Sequence, residues 1–206
     1  MTHIQIMTAS QVAIWTLIAY LIGSIPTGYI IVKLLTGQDI RTIGSGSTGA
    51  TNVKRVMGSK WFFIVMFLDA LKGATPIILA KVFATAFVSI GLIPVLCAVA
   101  AILGHSKSIF LNFTGGKSVA TGVGTIIALN WQVGLIVAAI WTITTFLSRY
   151  VSVGSIIAVL FAPFLMKLFH EPISYIVYCA IAAGYIIFLH RENVKRLFKG
   201  EESKVR

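Results

Sequence analysis

The stretch Ser118 to Ser148, "SVATGVGTIIALNWQVGLIVAAIWTITTFLS", runs for 31 residues without a charge. Its reading decides the fold, because it is long for one membrane crossing of about 20 apolar residues and short for two. It is either a single long tilted helix or a pair of short helices meeting near Leu129-Asn130-Trp131-Gln132.

The rest of the chain supplies the means to choose. Of its 206 residues, 57% are hydrophobic and 11% charged, with a mean hydropathy of +0.92. That is the balance of an integral membrane protein and excludes an ordinary soluble domain. Further charge-free runs extend from Ile4 to Val32, Val82 to Gly104, Val151 to Met166 and Pro172 to Leu189, while Trp61 to Ala80 is interrupted only by Asp69 and Lys72. These leave room for six or seven spans. The first run is too long for a signal-peptide core and lacks a basic start and a small-residue cleavage site, so it reads as a retained span. Cys97 and Cys179 both lie in apolar runs and read as small buried hydrophobes, not as disulfide partners.

The positions of Lys and Arg settle the topology, since cytoplasmic loops carry the excess of them. With the N-terminus outside and the 31-residue run as one span, the basic tail after His190 ends up outside, against that tendency. With two spans there are seven in all, the C-terminus is cytoplasmic, and segments 33–60, 105–117, 149 and 190–206 share the cytoplasmic face. Fourteen of the 17 basic residues then lie inside: Lys33, Arg41, Lys54, Arg55, Lys60, Lys107, Lys117, Arg149, Arg191, Lys195, Arg196, Lys199, Lys204 and Arg206. Lys81 and Lys167 lie outside and Lys72 within a span. Half of the split run, about 15 residues or roughly 22 Å, is shorter than a ~30 Å core. A short fourth span beginning near Gly116 therefore starts inside the protein. The net charge of +11 is explained by this topology and calls for no nucleic acid.

Four polar segments converge on the cytoplasmic face: "GSGSTGATNVKR", "GHSKSIFLNFTGGKSVATG", "SRYVSVGS" and "HRENVKRLFKGEE". In the first, Gly44, Gly46 and Gly49 formally match the dinucleotide-binding G-x-G-x-x-G, with Asp69 at the appropriate distance, but the strand and βαβ unit that pattern requires are missing. What survives is local chemistry: glycines let backbone amides reach an anion, Ser45, Ser47 and Thr48 bring hydroxyls, and Asn52, Lys54 and Arg55 add donors on the next turn. The second segment carries Gly115-Gly116-Lys117-Ser118, which lacks the upstream glycine of a Walker A loop because Leu111 stands there. Two glycines and a lysine before an apolar helix either meet a phosphate or simply open a helix beside a snorkelling lysine. His105, at its start, is either a structural or a functional histidine.

In the last segment His190 and Asn193 share a helix face, while Val194, Leu197 and Phe198 form the apolar stripe of an interfacial helix. Arg149 with Ser152 and Ser155 adds a cationic, hydroxylic patch. Asp69 and Lys72, three apart within a span, are expected to pair, since lone charges are costly there. No zinc spacing, paired carboxylates or Ser-His-Asp arrangement occurs, and the acids able to reach the cytoplasmic face are Asp39, Glu192, Glu201 and Glu202. Such a face suits phosphates and suits Mg²⁺ poorly, so neither metal nor cofactor is expected.

At "GSGSTGATNVKR", "GHSKSIFLNFTGGKSVATG" and "HRENVKRLFKGEE", in that order, the chain resembles the bacterial acyl-phosphate:glycerol-3-phosphate acyltransferase (PlsY) family. The resemblance covers essentially the whole chain. It implies one transmembrane acyltransferase domain, residues 1–206, of seven helices in the bacterial cytoplasmic (inner) membrane, its active site facing the cytoplasm. The implied reaction moves an acyl group from acyl phosphate to glycerol 3-phosphate, giving lysophosphatidic acid in the first acylation of phospholipid biosynthesis. It also implies a functional link to the enzyme that makes acyl phosphate. By position, Ser45, Arg55, Lys117, His190 and Asn193 match the family's functional residues, with Arg149 and Ser155 as further pocket members. Ser47 stands where the family more often has Asn, and Ser118 where it more often has Gly. Other glycerolipid acyltransferases commonly use a His-x4-Asp pair, but Phe110 and Lys195 stand in the acid's place after His105 and His190. The rival expectation is an anion or phosphate-ester transporter, since half-length helices aimed at an anion also occur there; the one-sided clustering of polar groups and the lack of a repeat speak against it.

Overall fold

The computed structural model describes residues 9–83 and 92–205. The start of the first apolar run, residues 84–91 of the run from Val82 to Gly104, and Arg206 lie outside the described residues, as does the expected position of the N-terminus. Within them every regular element is helical, apart from an isolated bridge between Ser108 and Thr114. In chain order the helices are α1 (Ala9–Ser24), α2 (Thr27–Thr36), α3 (Ala50–Met57), α4 (Ser59–Phe83), α5 (Leu92–Ser106), α6 (Val119–Leu129), α7 (Trp131–Ser148), α8 (Val151–Leu168), α9 (Ile173–Leu189) and α10 (Arg191–Phe198). The result is an integral membrane architecture. α1 and α2 together, α4, α7 and α8 are long and apolar enough to cross a bilayer; α5 and α6 are shorter apolar helices, and α9 meets α10 at a 57° bend.

The 31-residue run does split where expected. α6 ends at Leu129, and Asn130 caps α7 by accepting the Val133 N–H at 2.9 Å. The exposed carbonyls at the end of α6 are taken by Lys81, whose Nζ donates to Ala128 O at 2.7 Å and Leu129 O at 2.9 Å. α6 itself is shorter than expected, 11 residues or about 16 Å, because the Gly115–Ser118 segment is not helical. Its N-cap Ser118 is fully buried at φ 61°, with its hydroxyl donating to Ile102 O at 2.9 Å. A left-handed backbone favours glycine, which accounts for the glycine more usual at this position; here the serine's hydrogen bond offsets the strain.

Helix packing follows the chain: α1 lies on α5, α4 on α6, α7 on α8 and α8 on α9. α4 and α6 approach closely because Gly73 faces the Thr121 backbone and Gly124 faces that of Ala70, where any Cβ would collide. Cys97 and Cys179 are buried and free, as expected.

The first run is not one continuous helix. Pro26 has no N–H to extend α1, so the chain breaks between Ser24 and Thr27. That break is where the buried charges meet it. Lys72 Nζ donates to the Ile25 carbonyl at 2.7 Å and pairs with Asp69 Oδ1 at 2.8 Å, confirming the expected contact. Asp69 also accepts from Thr27 Oγ1 at 2.5 Å and lies 3.6 Å from His105 Nδ1. Removing one partner of a buried ion pair costs about 3–5 kcal/mol. Lys72→Met is therefore expected to lower the thermal unfolding midpoint in detergent markedly, and Asp69→Asn added to it to restore part of the loss; a double variant no more stable than Lys72→Met alone would contradict this account.

Candidate active site

The first wall is the loop after Ile43. Gly44 and Gly46 take φ values of 60° and 68°, and a Cβ on Gly44 would strike Asn52 Oδ1. Asn52 is buried inside the loop it follows. Its Oδ1 accepts the Ser45 N–H at 3.1 Å, and its Nδ2 donates to Ile43 O and Ser47 O, both at 2.9 Å. The carboxamide therefore shapes the loop instead of presenting donors to a ligand. Ser47 Oγ likewise turns inward to accept the Gly49 N–H at 3.3 Å, and Thr48 is buried. Ser45 and Arg55 are left exposed at the loop and on α3.

The second wall is Gly115-Gly116-Lys117. The Gly116 N–H donates to His105 O at 3.1 Å, which folds the loop back against the end of α5. Lys117 Nζ donates to Asn193 Oδ1. Its ammonium is pushed down to about 8, first by burial and then by the positive charges of Arg196 and Arg55, with Glu202 acting in the opposite sense. Arg55 is thus near enough for its charge to be felt at Lys117.

The third wall is the bend between α9 and α10. His190 is buried at this corner, and Nδ1 lies 2.8 Å from Ile186 O. A carbonyl only accepts, so Nδ1 carries the proton and the lone pair is on Nε2. Burial, reinforced by the Lys117 charge, pushes the imidazole down to about 4 despite that hydrogen bond. His190 is accordingly neutral near pH 7, a weak base and a ready hydrogen-bond acceptor.

Asn193, one turn on, is held from its other side by a residue the sequence did not single out. Its Nδ2 donates to Glu202 Oε1 at 2.7 Å, and the same carboxylate accepts from Ser152 Oγ at 2.9 Å and Arg196 Nε at 2.8 Å. Burial opposes the Glu202 charge, but the hydrogen bonds from Asn193, Arg196 and Ser152 outweigh it and hold the carboxyl below its usual range. The chain end is fastened nearby by the Val205 N–H, which donates to Arg149 O at 2.8 Å. So one acid, Glu202, sits among these basic and amide groups. Nothing in spacing or composition distinguished Glu202 or Arg196 from other tail charges. The Ser155 hydroxyl donates to Val151 O at 2.8 Å and accepts from Trp141 Nε1 at 3.2 Å. The Arg149 side chain is exposed. Among the described residues no group of three His, Cys, Asp or Glu is placed to hold a metal ion.

Helices of membrane length carrying a cluster of Lys117, Asn193 and neutral His190, with the Arg55 charge felt at Lys117, define a membrane protein equipped to handle an anion. The glycerol-3-phosphate acyltransferase family profile matches residues 13–200, and the chain belongs to that family. A glycerol-3-phosphate acyltransferase of Nostoc sp. (strain PCC 7120) is 46% identical over 202 residues, covering 92% of this chain and 89% of its own. One of Acaryochloris marina is 40% identical, covering 94% and 95%. The crystal structure of PlsY, an integral membrane glycerol 3-phosphate acyltransferase in its glycerol 3-phosphate form, superposes with a TM-score of 0.89 at 36% identity, covering 95% of this chain and 96% of that one. Its lysophosphatidic acid form gives 0.87 at 34%.

The depressed Lys117 fixes the sign of a pH effect: the ammonium is present below about pH 8 and lost above it. Affinity for glycerol 3-phosphate, measured by calorimetric titration between roughly pH 7 and pH 10, is expected to fall as pH rises through about 8. Lys117→Arg should remove that limb, because guanidinium stays charged throughout; the same limb in both proteins would assign it elsewhere.

Proposed function

We propose that this protein transfers a fatty acyl group from acyl phosphate to the 1-hydroxyl of sn-glycerol 3-phosphate, releasing lysophosphatidic acid and inorganic phosphate. The observation that carries the proposal is the convergence of Lys117, Asn193 and His190 at one corner within reach of the Arg55 charge. Both substrates are phosphate monoesters or anhydrides of like charge. Bringing them together is the main obstacle, and cations with few acids answer it.

An acyl phosphate is already an activated mixed anhydride. The acceptor hydroxyl oxygen bonds to its carbonyl carbon, the carbonyl oxygen takes negative charge, and collapse breaks the carbon–oxygen bond to phosphate. The hydroxyl proton leaves with that phosphate. His190 Nε2, with its lone pair directed away from the committed Nδ1 proton, accepts the hydroxyl hydrogen and aims the oxygen. A group pushed down to about 4 is too weak a base to hold the proton near pH 7, which favours positioning over general-base catalysis. Lys117 and Arg55 hold phosphate oxygens, Ser45 and the loop amides add donors, and Asn193 keeps Lys117 in place.

In this reading the whole chain is one transmembrane acyltransferase domain crossing the bacterial inner membrane seven times, N-terminus outside and C-terminus cytoplasmic. The site opens to the cytoplasm, where the water-soluble acceptor arrives, and the acyl chain stays in the bilayer between helices. A separate enzyme must supply the acyl phosphate.

Purified protein given acyl phosphate and glycerol 3-phosphate, with acyl-CoA as a parallel donor, is expected to yield lysophosphatidic acid only with acyl phosphate. Lys117→Ala and Arg55→Ala should each lower kcat/KM about 10²–10³-fold. Turnover with acyl-CoA instead overturns the donor; no product, together with flux of glycerol 3-phosphate into vesicles, would make the protein a transporter.

A further inference from the structure

His105 is buried at the end of α5 and is not among the residues that face the anion, yet it touches the loop that delivers Lys117. The Gly116 N–H donates to its carbonyl, and a Cβ built on Gly116 would land on His105 Nε2. The Nε2 edge of the ring therefore abuts the Gly116 backbone. The opposite edge is anchored: Nδ1 lies 3.0 Å from Thr121 Oγ1 and 3.6 Å from Asp69 Oδ1. Asp69 is in turn tied to Lys72 and to Thr27, and Lys72 to the carbonyl at the α1–α2 break. A continuous column of polar contacts thus runs from Ile25 through Lys72, Asp69 and His105 to Gly116, one residue short of Lys117.

The fold here assembles a histidine and an aspartate that the sequence spaces far apart, but in an arrangement that does not suit proton transfer. Nε2 is covered by Gly116 and Nδ1 is turned toward Thr121 and Asp69, so neither ring nitrogen faces a substrate. What the arrangement does suit is support. A rigid ring pinned by a buried carboxylate cannot sink or tilt, and the backbone resting on it cannot either.

We propose that His105, anchored by Asp69 and Thr121, is a positioning residue that sets the Gly115-Gly116-Lys117 backbone and so places the Lys117 ammonium against Asn193 and the substrate phosphate. This rests on the acyl-transfer reading of the site above. Misplacing a binding group by about 1 Å can cost on the order of 10²-fold in rate, so a fixed seat for Gly116 is worth a buried polar column.

The test is a double-mutant cycle in the purified full-length chain, reading kcat and KM for glycerol 3-phosphate. The donor is whichever of acyl phosphate or acyl-CoA supports turnover, so a mistaken donor counts against the proposed reaction and not against His105; if neither does, the cycle is read in the dissociation constant for glycerol 3-phosphate. His105→Ala is expected to lower kcat/KM about tenfold, chiefly through KM, but no more than about twofold in the Lys117→Ala background, where no ammonium remains to be placed. His105→Gln, which keeps a planar polar group against Gly116, should recover most of the loss. Equal losses in both backgrounds, or a loss confined to kcat, overturn the proposal. Should His105→Ala not give monodisperse protein, Thr121→Val takes its place in the cycle, expected at about threefold with Lys117 present and none without it; equal effects again overturn it.

Discussion

A carboxylate placed among membrane-spanning helices has no water to solvate it, so the chain itself must answer its charge and its lone pairs. Asp69 imposes that constraint, and four segments arrange themselves around it. Lys72 neutralises it from the same helix, Thr27 donates from the start of α2, and His105 approaches from α5 beside Thr121 of α6. At the α1–α2 break forced by Pro26 the Ile25 carbonyl accepts from both the Thr27 N–H and Lys72 Nζ, so the buried ammonium meets a carbonyl on one side and Asp69 on the other. The close approach of α4 to α6, allowed by Gly73 and Gly124, draws the column tight.

The Lys117–Asn193 contact is built on this foundation and is held by a second, smaller polar cluster. Lys117 stands between the two: its backbone follows Gly116, seated on His105, and its ammonium ends on Asn193. Asn193 could not hold that ammonium if its carboxamide were free to turn, and Glu202 opposes the turn by accepting a hydrogen bond from Nδ2. Glu202 also accepts from Ser152 and Arg196, so the start of α8, α10 and the chain end close on one carboxylate. An acid among these cations looks counterproductive for the anion binding proposed above. Its charge is met by Arg196 and by the Asn193 and Ser152 donors, which leaves Lys117 and Arg55 without a carboxylate partner of their own among the ion pairs of the described residues.

Much of this was legible in the residues. The split of the long apolar run could be read from the placement of basic residues, because leaving it as one span with the N-terminus outside would have put a tail of six basic residues outside; Asn130 then supplied the cap that the break needs. The pairing of Asp69 with Lys72 followed from their spacing and the cost of either alone. His190 and Asn193 share a buried helix face as their spacing indicated. Less was legible where polar residues serve the backbone. Asn52, Ser47 and Ser155 have the chemistry of ligand donors, but their hydrogen bonds are internal. Residue type tells what a side chain can donate, and not whether a nearby carbonyl has claimed it first.

The sequence by itself therefore determined the membrane class, the break at Asn130 and the family, because hydropathy, charge placement and short motifs are local properties of the chain. Only the tertiary structure decided that Glu202 locks Asn193 and that His105 lies beneath Gly116. Those contacts join segments distant in sequence, and they are settled by how closely helices can approach and which buried polar atoms must find partners there.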